Sequence, residues 1–70
     1  MFDYTITAYN KLGKVQEVET LFCSPSAIEL SEVMLSLSDE FGYAEATDTA
    51  NTHCGEYGDR PAALGQRRFC

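Results

Sequence analysis

Residues 24 to 42 constrain the fold more than any other stretch. Ser24-Pro25-Ser26-Ala27-Ile28-Glu29 stacks helix-start signals: Ser24 can cap with Pro25 at the first helical position, or Ser26 can cap with Glu29 as its capping-box partner. Leu30, Val33, Met34, Leu37 and Phe41 then recur at helical spacing, and Ile28 and Leu35 widen that apolar face. Glu29, Glu32, Ser36, Asp39 and Glu40 fall on the opposite side, and Gly42 stands where a left-handed C-terminal cap belongs. The pattern predicts one amphipathic helix over residues 26–41. Its apolar stripe needs a partner surface, and a chain of 70 residues has room for one small sheet to supply it.

The preceding residues have the period of a strand. Phe2, Tyr4, Ile6 and Ala8 alternate with Asp3, Thr5, Thr7 and Tyr9, which predicts a half-buried strand over residues 2–9. Asn10 and Gly13 suit a tight reversal, and residues 15–23 return as a second strand. There Val18, Thr20 and Phe22 share one face, while Glu17, Glu19, Leu21 and Cys23 share the other. Two glutamates against a core would be costly, so the Phe22 face is expected to be the buried one. Tyr43 to Thr49 reads as a third strand entered directly from the helix. From Ala50 to Cys70, Gly55, Gly58, Pro61 and Gly65 with few large apolar residues read as a loop-rich tail, or one with a short final strand through Gln66 to Phe69.

The expected fold is therefore α+β, a single domain over residues 1–50 with residues 51–70 as its tail. The order is β-β-α-β, and a right-handed crossover places the third strand beside the first, giving an antiparallel sheet of spatial order 2-1-3 with the helix on one face. The other face, carrying Thr5, Thr7, Tyr9, Glu17, Glu19, Leu21 and Cys23, has no evident cover and is either solvated or a docking surface.

Charge narrows the function classes. Eleven acids oppose five bases, a net of −6, which argues against a general phosphate-neutralising surface and hence against direct nucleic-acid binding. No apolar run reaches the ~20 residues of a membrane span, and the N-terminus lacks a secretory pattern, so a cytoplasmic location is expected. Residues 1–50 hold nine acids and two bases, whereas residues 51–70 hold two acids and Arg60, Arg67 and Arg68. Part of the helix charge follows from the dipole, which favours Glu29 and Glu32 near the N-terminus. Asp39 and Glu40 oppose the dipole in the last turn, and with Glu45 and Asp48 just beyond they are expected to form a negative patch. A calcium loop does not fit residues 39–48, which lack the alternating ligands, central glycine and terminal glutamate. The arginines of the tail read either as a partner-recognition arm or as solubilising charge. Tyr9, Leu21 and Tyr57 are the better apolar interface candidates.

Catalytic and metal readings find little to stand on. Three cysteines, Cys23, Cys54 and Cys70, cannot close a complete disulfide framework and suit reduced thiols. A zinc site would draw on Cys23, His53, Cys54 and Cys70, but these lack a knuckle pair separated by two to four residues. His53 with Cys23 or Cys54 is the only nucleophilic pairing on offer, and no nucleophile elbow or phosphate loop surrounds it. The expectation is a non-enzymatic protein without cofactor or metal.

In size, charge and layout over residues 1–50, the chain resembles the small inhibitor proteins of phages and other mobile elements, among them anti-CRISPR proteins, anti-restriction proteins and inhibitors of host RNA polymerase. That resemblance rests on no diagnostic motif and assigns no residue a role. Taken with the charge pattern above, the leading expectation is a binding protein that docks on a basic, nucleic-acid-handling host complex through Glu29, Glu32, Asp39, Glu40, Glu45 and Asp48, with aromatics supplying apolar contact. Two rivals are a small regulatory module, a homodimer joined along the free edge of strand 2 or 3, and a metal-dependent or redox protein built on the cysteines and His53.

Overall fold

Asn10 sets the first reversal, and a computed structural model describing residues 3–64 shows how. Strand β1 (Tyr4–Tyr9) ends at Asn10, whose side-chain Oδ1 accepts the amides of Leu12 at 2.9 Å and Lys14 at 3.0 Å. The chain returns as β2 (Val15–Leu21), with a bulge where Val15 rather than Gln16 faces Tyr9. Helix α1 (Ala27–Phe41) uses the second of the two possible caps: Ser26 Oγ accepts the Glu29 amide at 3.1 Å. Gly42, at φ 115°, closes the helix by donating its amide to the Ser38 carbonyl at 2.8 Å. Strand β3 (Tyr43–Asp48) follows at once.

The sheet is antiparallel and α+β in setting, but it has four strands in the order β2-β1-β3-β4, not three. The 2-1-3 order is present. The addition is β4 (His53–Gly58), drawn from residues expected to be tail. Asp48 makes the reversal into β4, its Oδ1 accepting the amides of Ala50 and Thr52, both at 2.9 Å, while Asn51 takes a φ of 64°. Gly55 lies within β4 opposite Ala46, and a Cβ there would make van der Waals contact with Met34 Cε at 3.4 Å. The suggested final strand through Gln66 to Phe69 lies outside the described residues, as does Phe2.

The core is thin. Ile6, Ala8, Ala44 and Ala46 from the two central strands meet Met34 and Leu37, with Leu21, Leu30, Val33 and Phe41 packed around them. Because the sheet offers mostly alanine, the helix seats a narrow strip, and Ile28 (72% exposed) and Leu35 (51%) stand outside it rather than widening the buried face.

β2 faces the opposite way from expectation. Its register pairs Leu21 with Tyr4, Glu19 with Ile6 and Glu17 with Ala8, so these three share the helix side. Val18 (55% exposed) and Phe22 (66%) lie open to solvent instead. The argument from carboxylate burial fails because β2 is the edge strand: Glu17 and Glu19 are on the helix side yet remain exposed.

Candidate functional site

Two surfaces concentrate the polar chemistry, one on each side of the sheet. On the side away from the helix, the register places Tyr9 opposite Tyr43 and Glu45 opposite Glu56. That face is not bare. After β4 the chain is anchored by the Asp59 amide, which donates to the Gly42 carbonyl at 3.1 Å, and ends in a 3-10 turn, η1 (Ala62–Leu64). η1 comes against the first hairpin: a Cβ on Gly13 would lie 2.8 Å from Ala63 Cβ.

Arg60 ties this segment down. Its Nη1 donates to Tyr43 Oη at 2.7 Å and to Glu45 Oε2 at 3.1 Å, and its Nη2 donates to the Leu64 carbonyl at 3.3 Å. Tyr43 Oη in turn donates to Glu45 Oε2 at 3.2 Å, the guanidinium carbon stands 5.6 Å from the Tyr43 ring centre, and the Tyr9 ring lies 6.0 Å from it. Tyr43 is fully buried in this stack. Burial pushes its hydroxyl up to about 12, against the opposing pull of the Arg60 hydrogen bond. Burial, and then the Glu45 charge, also raise Tyr9. His53 completes the cluster, with Nε2 at 3.3 Å from Glu56 Oε1 and 3.7 Å from Glu45 Oε2. The charges face one another and the tyrosines fill the space between, which makes this cluster a clasp for residues 59–64.

The clasp divides the expected negative patch. Glu45 belongs to it, on the far face of the sheet from the helix, and Asp48 is committed to the β3–β4 turn. Asp39 and Glu40 remain exposed in the last turn of α1. Among the apolar candidates, Leu21 packs half-buried against the core, Tyr9 is half-buried beside Tyr43, and Tyr57 is exposed on the helix side of β4. The free edges of the sheet are β2 and β4; strand 3 is interior and offers none.

On the helix side the exposed acids form a different group. Glu17 and Glu19 of β2 join Glu29, Glu32, Asp39 and Glu40 of α1. Glu19 and Glu32 line one depression of about 210 Å³ with Val33, Ser36 and Leu37. A second, of about 280 Å³, is largely apolar, between Ile28, Leu35 and Tyr57 with Glu32 at its rim. The described bases lie elsewhere, Lys11 and Lys14 in the first turn and Arg60 in the clasp. Sequence reading missed the clasp; of the helix-side acids it named Glu29, Glu32, Asp39 and Glu40 but not Glu17 and Glu19, which it also placed on the face away from the helix. The signal for the clasp was the register, which aligns Tyr9 with Tyr43 and Glu45 with Glu56 once β4 is recognised as a strand.

Cys23 lies in the β2–α1 link at φ 65°, its amide donating to Asp3 Oδ1, and Cys54 Sγ donates to the Thr52 carbonyl at 3.2 Å. Among the described residues no group of three His, Cys, Asp or Glu side chains is placed to hold a metal ion, and no helix is long and apolar enough to cross a membrane. Cys70 lies outside the described residues. No protein-family model matches the chain, and no curated protein or solved structure matches it.

Proposed function

We propose that the chain is a non-enzymatic acidic binding protein, of the phage or mobile-element inhibitor kind, that docks on a basic nucleic-acid-binding surface of a host protein complex in the cytoplasm. One observation carries the reading: Glu17, Glu19, Glu29, Glu32, Asp39 and Glu40 share the helix side of the sheet with no described base among them. Lysines and arginines that normally hold phosphate would meet carboxylates instead, with electrostatics supplying rate and orientation. Ile28, Leu35 and Tyr57 add an exposed apolar contact beside the acids. A non-catalytic role is favoured because the acid–base groups Glu45, His53 and Glu56 are nearly buried and are drawn into the clasp.

The test is capture from a host lysate by the immobilised full chain, run beside Glu19→Lys/Glu32→Lys and Asp39→Lys/Glu40→Lys variants. Partners should elute as salt rises from about 0.05 to 0.5 M and be lost by the variants. The isolated partner should then lose nucleic-acid binding when the chain is added. Equal retention by the variants, or a partner whose nucleic-acid binding is untouched, would overturn the proposal. The rival reading is a regulatory module that dimerises along β2 or β4, and sedimentation over a concentration series separates it from a monomeric binder.

A further inference from the structure

β2 is an edge strand of the described sheet. All but the last of its seven residues are exposed, and among the described residues no strand covers its outer side. Its sequence, Val-Gln-Glu-Val-Glu-Thr-Leu, contains no glycine, proline or lysine to blunt pairing. β4, the other edge, carries Gly55 and Gly58 and a register shift opposite Ala46 and Thr47.

The two sides of β2 differ in chemistry. Glu17 and Glu19 project on the helix side, while Val15 and Val18, each 55% exposed, lie on the other side with Thr20. A second copy is a poor occupant in every register that pairs five or more residues of the strand. Antiparallel two-fold pairing centred on Val18 sets each Glu17 opposite a Glu19, and centring on residue 17 or 19 sets a glutamate against itself. Like charges directly opposite across a ladder repel, so these glutamates guard the edge against self-pairing. They also define what does fit.

We propose that β2 receives an extended segment of a partner protein as a fifth strand, with basic residues two apart facing Glu17 and Glu19 and β-branched or apolar residues between them facing Val15, Val18 and Thr20. The outward amides and carbonyls of the edge bond its main chain, and the alternation of its side chains sets the specificity. The proposal rests on the acidic-face reading and names the part of the partner that reaches that face.

The probe is a blocked seven-residue peptide alternating lysine and valine, titrated against the full chain with backbone amides followed by NMR. Saturable binding should shift amides of residues 15–21. N-methylating the peptide at the residues whose amides face β2, which leaves the protein unaltered, should weaken binding about tenfold or more. The variant Glu17→Lys/Glu19→Lys, altered only at exposed positions, should lose about as much and turn its preference to a glutamate–valine peptide. Undiminished binding of the N-methylated peptide, or shifts confined to α1 or β4, overturns the proposal. A concentration-dependent dimer that excludes the peptide also overturns it, and gives the edge to a second copy. If the peptide fails while a lysate partner is still captured in a salt-sensitive way, the strand proposal falls and the acidic-face reading stands. Strand pairing that persists with no salt dependence overturns the matching of basic residues to Glu17 and Glu19, and with it the proposal.

Discussion

The path of the clasp segment depends on two glycines that touch. Gly42 ends α1 at φ 115°, and Gly58 ends β4 at φ 94° against it. A Cβ on Gly58 would lie 2.3 Å from the Gly42 carbonyl oxygen and 3.1 Å from Tyr43 Cα, whereas a Cβ on Gly42 meets nothing within 4 Å. Alanine at either position is held at positive φ, at a cost of about 1–2 kcal/mol. At Gly58 the obstruction is backbone, which no rotamer relieves. Moving it strains the Asp59–Gly42 hydrogen bond, worth about 0.5–1.5 kcal/mol, and adds overpacking of about 1–3 kcal/mol. Gly42→Ala should therefore lose about 1–2 kcal/mol and Gly58→Ala about 2.5–6.5 kcal/mol, a large part of the stability of a small domain. Urea unfolding of the two variants beside the parent, with slopes compared so that only midpoints are read, measures the difference. Losses equal within about 0.5 kcal/mol would refute the close approach of Gly58 to the helix end, and with it the placement of Arg60 over Tyr43.

The clasp makes two further predictions. Arg60→Met leaves the Glu45 carboxylate without its guanidinium; both side chains keep some solvent contact, at 20% and 16% exposure, so the loss should be about 2–3 kcal/mol rather than the full cost of a broken buried pair. Adding Glu45→Gln should recover about 1 kcal/mol or more of that in a double-mutant cycle followed by urea unfolding, and strict additivity would show that the two are not coupled. The alkaline limb of stability tests Tyr43, which ionises near 10 in the unfolded chain and at about 12 when folded. Above pH 10 the unfolded chain loses a proton that the native state keeps, so stability should fall as pH rises from 10 towards 12. Tyr43→Phe should flatten that limb in a pH series of thermal melts.

Local signals were legible where one element carried them alone. The helix and its cap depend on contacts within four residues, and the first hairpin on Asn10 and Gly13; both stand where the residues put them. What failed was anything decided by a neighbour. β4 has weak strand propensity and is a strand because β3 offers it an edge. β2 was turned over because its glutamates were weighed as if the helix covered every strand, whereas an edge strand can keep carboxylates on the core side in water. The expected acidic patch divided for the same reason. Glu45 and Asp48 are three apart on one strand, yet one faces Arg60 and the other makes a turn. The acidity of the chain was plain, but its distribution depends on pairing that no local window contains.

Whether the helix-side acids serve structure or a partner can be read from the free protein. A carboxylate placed for stability should have a donor, and its neutralisation should cost stability; one held ready for a partner should burden the free fold. Glu29 is excluded from this comparison because the helix dipole favours it. Asp39 and Glu40 lie in the last turn with no base there to offset them, so Asp39→Asn/Glu40→Gln should gain about 0.3–1 kcal/mol at each site at low ionic strength. Glu19→Gln/Glu32→Gln relieves repulsion across the shared depression and should gain about 0.2–0.5 kcal/mol. Both gains should shrink as salt rises from about 0.01 to 0.15 M and the screening length falls from about 30 to 8 Å, which thermal melts at the two salts can follow. A stability loss in either variant, or a gain indifferent to salt, would place these carboxylates in structural contacts and remove the observation on which the binding reading stands. Gains that fade with salt would mean that the face is repaid only where cations meet it, as a surface kept for a basic partner requires.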